Sequence, residues 1–206
     1  MSALDIDLKG HNHMISFEEV TIDDAERILK WRTSGRVTKF MNTDVEFNLD
    51  NQRQWLRTCY EKEHYYHWII KVEGKPAGLL NICDYDPVNK SSSWGFYIGD
   101  DESVGYGAFI PPMLYNFLFD QVGIEKIEVE VFYNNLSVIG LHQLHGYRFS
   151  PDKDRVILKN GREVLLVAMT LSSLDWARNK RFRNQISVFP TSLWAAKPIT
   201  LRTINS

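Results

Sequence analysis

Cysteine is scarce in this chain. Cys59 and Cys83 are the only two, both lie among apolar neighbours, and neither has a companion at a metal-ligand spacing. That argues against a disulfide framework or a thiolate metal site and for structural thiols in a reduced, cytoplasmic setting. Net charge is nearly absent, −2 over 206 residues, so nothing calls for nucleic acid or a membrane surface as a general partner. No apolar run is long enough to span a bilayer, and no secretory signal pattern is present. Internal repeats and low-complexity stretches are missing too. His64 and His67 sit in an acidic-aromatic loop without a Cys or Asp cluster, so no metal is expected.

What remains is an ordinary globular composition, 44% hydrophobic and 24% charged, with enough chain for one sizeable core. Residues 1–13 read as a polar, tag-like leader carrying His11 and His13, with Met14 as the natural start. Residues 14–171 form the expected domain and 172–206 a C-terminal helix with a loose tail. Ile15 to Val20 should be a first strand, and Thr21 an N-cap for a helix over Asp23 to Thr33. The connection Ser34 to Asn48, with Arg36, Lys39, Phe40 and Met41, is long for a compact domain, which hints at function. Asn48 or Asp50 caps a second helix through Tyr60. Trp68–Val72 and Ala77–Ile82 flank a turn and should pair, with Ser92–Ile98 as a third antiparallel strand. Ile127–Phe132 alternates as a strand, and Asn134 or Asn135 caps a helix, Leu136–His145, ended by Gly146. Arg155–Lys159 and Glu163–Leu171 alternate around Asn160-Gly161, the favoured two-residue hairpin turn.

Between the third strand and its following helix lies Val104-Gly105-Tyr106-Gly107-Ala108. Pro111 and Pro112 fit only a first helical turn, so the helix should begin near Gly107 to Phe109. Two glycines there would let backbone amides face outward at the positive helix end, a seat for phosphate. A plain tight turn is the alternative. No Gly-Lys-Ser/Thr follows, which disfavours a triphosphate loop, and position 110 is Ile where a dinucleotide fingerprint wants a small residue.

The order β-α-α-β-β-β-α-β-α-β-β predicts an α/β chain with a mixed, mostly antiparallel sheet. At this point the chain resembles the GCN5-related N-acetyltransferase (GNAT) family. That family carries a Gln/Arg-x-x-Gly-x-Gly/Ala loop for the pyrophosphate of acetyl-coenzyme A. Here Glu102-Ser103-Val104-Gly105-Tyr106-Gly107 keeps both glycines and lacks the leading basic or amide residue. The family's Asn, then Tyr seven residues on, then Gly-Phe, stands as Asn135, His142 and Gly146-Tyr147. Lys30-Trp31-Arg32 and Phe40-Met41 add a likeness to the flagellin-sugar acetyltransferases of that family. The Trp-Arg start also occurs in its protein and antibiotic acetyltransferases.

The resemblance implies acetyl-coenzyme A as acetyl donor, no metal, and direct transfer without a covalent intermediate. Its pantetheine arm would enter between splayed strands, along Phe96, Tyr97 and Ile98, with Val104 to Ala108 on the diphosphate and Asn135 on the arm's amides. Simple core packing is the alternative for Trp94, Phe96 and Tyr97, and the one favoured for Trp94 and Phe96. The implied acceptor is the 4-amino group of a UDP-linked amino-dideoxy sugar on the pseudaminic acid route, a small-molecule partner for which Arg32 and Lys39 are the substrate candidates. A homodimer is left open. His142, in the tyrosine's place, is either the acid that protonates the leaving thiolate or a helix residue beside the cofactor. An imidazolium near roughly 6.5 is mostly deprotonated at neutral pH, which weighs on the first role. Glu128 and Glu130 alternate on their strand as a solvent face would, so no carboxylate stands out as the base.

Overall fold

A computed structural model describes residues 14–62 and 65–191. The leader over residues 1–13, His64 and residues 192–206 lie outside the described residues.

Eight strands form one sheet, β1 (Ile15–Glu19), β2 (Tyr66–Val72), β3 (Lys75–Asp86), β4 (Ser91–Ile98), β5 (Lys126–Phe132), β6 (Arg148–Phe149), β7 (Arg155–Lys159) and β8 (Arg162–Ser172). Their spatial order is β1-β2-β3-β4-β5-β8-β6, with β7 also paired to β8. Every pairing is antiparallel except β4 with β5. The mixed, largely antiparallel sheet is the one the sequence predicts.

Helices cover both faces because each face is apolar in alternation. On one side α1 (Ala25–Thr33) and α3 (Leu49–Glu61) press Ile28 and Leu56 against Ile69 and Leu79. On the other side α4 (Ile110–Asn116), α5 (Leu136–His145) and α6 (Ser173–Arg178) enclose a larger core with Trp68, Trp94, Met113, Met169 and Trp176. Local signals fix the ends. The Thr21 amide donates to Asp24 Oδ2 at 2.9 Å ahead of α1, and Asn48 Oδ1 accepts from the Asn51 amide at 3.0 Å to start α3. Gly146 stops α5 in the left-handed region, φ 100°, where glycine is favoured. Asn160 and Gly161, φ 51° and 72°, make the tight turn between β7 and β8.

Three expectations are corrected. The helix foreseen from Asp23 opens with a 3-10 turn, Ile22–Asp24, so α1 proper starts at Ala25. The connection 34–48 contains a short helix, α2 (Gly35–Thr38), capped by the Ser34 hydroxyl, which accepts from the Val37 amide. Four residues are too few for periodicity to show. The tail foreseen as loose is packed as far as it is described. Phe182 and Phe189 belong to the main core, and Phe189 stacks on Phe17 with centroids 4.3 Å apart. Buried Asn116 ties this segment down. Its Nδ2 donates to the carbonyls of Phe182 and Gln185, while its Oδ1 accepts from Trp176 Nε1 and Arg183 Nη1.

Candidate active site

Parallel pairing of β4 with β5 lasts only from Ser91–Lys126 to Ser93–Glu128. Beyond it the strands diverge, and a cavity of about 760 Å³ opens at the split. Phe96, Tyr97, Ile98, Asn135 and His142 line it from the split itself, and Arg32 and Trp55 from the α1 and α3 side. Strand edges left unpaired by the divergence carry amide and carbonyl groups that need partners, which suits a flat, amide-bearing arm.

At the glycine loop the reason for glycine differs from the one expected. Val104–Phe109 is a 3-10 turn that runs into α4, with Pro111 and Pro112 in the first turn. Neither Gly105 nor Gly107 has a positive φ, so neither is demanded by backbone conformation. A Cβ on Gly105 would meet nothing within 4 Å, whereas one on Gly107 would touch Ile98 and Phe96 at ordinary contact distances. Gly105 therefore faces open space at the start of the helical segment, and residues 104–108 are not among those that line the cavity at the split. No cation stands in the loop. Asp100 accepts from the Ser103 hydroxyl at 2.6 Å, Asp101 pairs with Arg36, and Glu102 fills the place of the family's basic or amide residue.

At the thioester end, Asn135 opens α5. Its carbonyl accepts from the amides of Val138 and Ile139, and its side-chain oxygen accepts from the Ser137 hydroxyl. Buried His142 stands edge-on to Trp94, centroids 6.0 Å apart, and 4.7 Å from the ring of Tyr147. Its Nδ1 is buried with no hydrogen-bond partner among the described residues. Burial pushes the imidazole pKa down to about 4, so His142 is neutral at pH 7 and is not an imidazolium. Tyr147 accepts from Trp94 Nε1 at 3.0 Å, and burial raises its phenol pKa far from the working range.

Trp31 stands on the α1 side of the cavity. Its ring lies against Gly99, so close that a Cβ there would fall 2.0 Å from Trp31 Cγ. This contact joins the end of α1 to the end of β4, and Arg32, the next residue, lines the cavity. Arg32 Nη2 donates to the carbonyl and hydroxyl oxygens of Thr43 at 2.5 and 3.1 Å, while Nη1 is buried with no partner among the described residues. The Tyr97 hydroxyl is likewise buried without a partner among them. Desolvation lowers the Arg32 pKa, yet a guanidinium stays charged. Arg36 lines the cavity but is consumed in structure, donating to the carbonyls of Ile98 and Gly99 at 2.8 and 3.0 Å. Lys39 falls outside the cavity lining, with its ammonium 5.0 Å from the Phe40 ring centroid. Of the two cations expected at the acceptor, only Arg32 lines the cavity.

Glu128 and Glu130 do not form a bare solvent face. They line an adjoining groove of about 630 Å³ and are ion-paired, Glu128 with Lys126 and Lys153, Glu130 with Arg155. Trp55, which with Phe40 and Tyr97 reads in the sequence as an aromatic able to stack a base or sugar face, does line the cavity, and sequence reasoning missed Gln52 beside it, whose helical spacing gave only an ordinary amphipathic face. His67 is buried against Trp55, and among the described residues no His, Cys, Asp or Glu group gathers to hold a metal ion. No helix among them is long and apolar enough to cross a membrane.

Comparison with known proteins agrees with this geometry. Residues 18–164 match the family described as acetyltransferase (GNAT) domain. Acetyltransferase PseH of Campylobacter jejuni is 19% identical over 140 residues, covering 68% of this chain and 87% of its own. The SPbeta prophage-derived uncharacterized N-acetyltransferase YokL of Bacillus subtilis is 22% identical over 115 residues, covering 54% of this chain and 64% of its own. Among solved structures, spermidine N-acetyltransferase from Vibrio cholerae in complex with CoA and spermine superposes with a TM-score of 0.71. It is 14% identical and covers 80% of this chain and 99% of its own.

Three buried histidines make a pH dependence of stability. Burial lowers His67 and His142 to about 4 and, with a contribution from His142, lowers His145 to about 3. The unfolded chain protonates these side chains near 6.5 and the folded chain does not. Their stabilisation is thus complete above about pH 6.5 and is lost as pH falls toward 4. With three protons at stake the limiting slope is about 4 kcal/mol per pH unit. Urea denaturation at pH 7.5, 5.5 and 4.5 should show this fall, flattened by His145→Phe; a midpoint constant down to pH 4.5 would contradict the burial of these rings.

Proposed function

Since the chain belongs to the GNAT acetyltransferase family, we propose that this acetyl-coenzyme A-dependent enzyme acetylates the 4-amino group of a UDP-linked amino-dideoxy sugar, as on the pseudaminic acid route of flagellin glycosylation. The observation that carries the acceptor assignment is Arg32. A permanently charged guanidinium with a buried Nη1 that has no partner among the described residues faces the acceptor end, and it is stabilised by an acceptor that brings anionic or carbonyl oxygens. Among the described residues the one carboxylate in the cavity wall, Glu130, is already held by Arg155. A polycation would find repulsion there in place of a partner. The likeness to PseH runs in the same direction.

In this reading the glycine loop seats the diphosphate on backbone amides, Asn135 and the free edge of Phe96 to Ile98 take the pantetheine amides, and the thioester lies at the split. The neutral amine attacks the thioester carbonyl carbon, giving a tetrahedral intermediate with an oxyanion and an ammonium. The C–S bond then breaks. The ammonium gives up a proton and the thiolate sulfur, whose thiol pKa is cysteine-like at roughly 8.5, takes one. Neutral His142 assists as an N–H donor to the sulfur. Because its imidazole does not titrate between pH 6.5 and 8.5, it adds no basic limb to the rate profile.

A cationic acceptor is the second reading, supported by the likeness to the spermidine acetyltransferase fold and by the glutamates of the adjoining groove. Acceptor N-termini and aminoglycosides belong to the same alternative. Thiol release from acetyl-coenzyme A should be fastest with a UDP-4-amino sugar and far slower with spermidine, an aminoglycoside or an N-terminal peptide. Release with one of those amines and not with the sugar overturns the assignment, and binding without release in every case overturns catalysis.

Two variants probe the donor side. Gly105→Glu, whose Cβ meets open space, should fold normally yet weaken acetyl-coenzyme A binding at least about tenfold, near 1.4 kcal/mol. Undiminished affinity measured by calorimetry would remove the diphosphate seat. His142→Phe should lower kcat at least about tenfold with little change in acetyl-coenzyme A affinity; equal losses in both would assign His142 to packing.

A further inference from the structure

Above the cavity the two halves of the split sheet are bridged again, by Phe40 edge-on to Phe132 with centroids 6.4 Å apart and by the side chain of Lys159. Lys159 ends β7, directly before the Asn160-Gly161 turn, on the half of the sheet that contains β5 and β8. Its ammonium reaches the opposite half and donates to Met41 O at 2.6 Å, Thr38 O at 3.2 Å and Asp44 Oδ1 at 3.0 Å. An ammonium has three protons, and all three are used. The Lys159 side chain is 10% exposed and Asp44 45%, so the two carbonyl contacts are the shielded ones and the ion pair with Asp44 is open to screening.

The chain it grips is the part of the cavity wall with the least structure of its own. Residues 39–48 lie in no helix or strand, yet Phe40, Met41, Asn42, Thr43 and Val45 line the cavity. Thr43 in turn holds Arg32 Nη2. Two of the Lys159 contacts are to carbonyls at and just past the end of α2, that of Thr38, which also accepts from the Met41 amide at 3.1 Å, and that of Met41. The third acts with the Thr38 hydroxyl, which donates to the same Asp44 oxygen at 3.1 Å. The hairpin is aligned to make this reach. Residues 155, 157 and 159 share one face of β7, and Arg155 on that face pairs with Glu130 of β5.

We propose that Lys159 is a positioning residue for the acceptor. By fixing residues 38–44 it holds Thr43 and Arg32 in place, and it sets acceptor affinity without touching the acetyl donor. The proposal rests on the acceptor end assigned above, and its test separates the two. Hydrogen exchange is measured on the free enzyme, and steady-state kinetics with acetyl-coenzyme A and the best amine from the acceptor assay.

Lys159→Met should raise exchange of amides in residues 38–44 at least tenfold while β4 and β5 stay protected. It should raise the acceptor KM about tenfold and leave kcat and the acetyl-coenzyme A KM within twofold. Lys159→Arg should recover part of the loss. Asp44→Asn, which removes one of the three contacts, should show a smaller shift of the same kind and serves if Lys159→Met does not fold. Unchanged exchange in residues 38–44, or a rise in both KM values together, overturns the proposal. If no amine is acetylated, the acceptor assignment fails, and the exchange measurement still decides whether Lys159 holds the loop.

Discussion

The short run of parallel pairing between β4 and β5 is the constraint on which the rest depends. Three residue pairs hold the strands together, and past them each strand exposes a hydrogen-bonding edge inside the protein. Such edges are tolerated only where something pairs with them, and an extended, amide-bearing arm can do so as an added strand would. Divergence alone would leave the two halves free to close or spread. Beneath the split, Trp94 of β4 donates to the Tyr147 hydroxyl just past α5, and above it Lys159 crosses to the loop after α2. The gap is therefore held open from below and bridged from above.

Burial treats the two ends of the cavity differently. Near the split it drives His142 to the neutral form, because a group that titrates near neutrality gives up its charge before it bears the desolvation cost. At the acceptor end the same desolvation lowers the Arg32 pKa but cannot discharge a guanidinium. On the reading proposed above, one cavity has a neutral N–H donor where a thiolate would form and a fixed positive charge where the substrate would be recognised. This polarity depends on residue type more than on geometry, since an arginine in place of His142 and a histidine in place of Arg32 would reverse it.

What could be read from the sequence is what short-range chemistry specifies. Asn160-Gly161 defines its hairpin within four residues, Gly146 ends α5, and Asn48 starts α3. The spacing of Asn135, His142 and Gly146 lies within one helix and its caps, and it leads to two residues that line the cavity, Asn135 and His142, whereas the Gly-x-Gly loop lies outside that lining. The misses are long-range. Nothing near Phe189 shows that it will stack on Phe17. Arg36 reads as a ligand for phosphate until the carbonyls of Ile98 and Gly99 are brought to it from far along the chain. Lys39 and Arg32 look alike in sequence, and only the contact of Trp31 with Gly99 distinguishes the one that faces the cavity.

This division between near and far has a consequence for specificity. On the reading proposed above, the donor end is assembled from near-consecutive residues, Phe96 to Ile98 and Val104 to Ala108, with Asn135 and His142 from one helix and its cap. On the same reading the acceptor end draws on α1, the loop 39–48, α3 and the β7 hairpin, joined by contacts such as Lys159 with Met41 that span most of the fold. A substitution in any of these can re-shape the acceptor cavity while the donor seat is unaffected. A superposition at 14% identity with a spermidine acetyltransferase is the expected result of that arrangement: the fold is shared and the acceptor is free to differ. On the proposed reading, acceptor choice follows from the charges at the far end of the cavity, where Arg36 is held by the carbonyls of Ile98 and Gly99 and Arg32 keeps an Nη1 without a partner among the described residues.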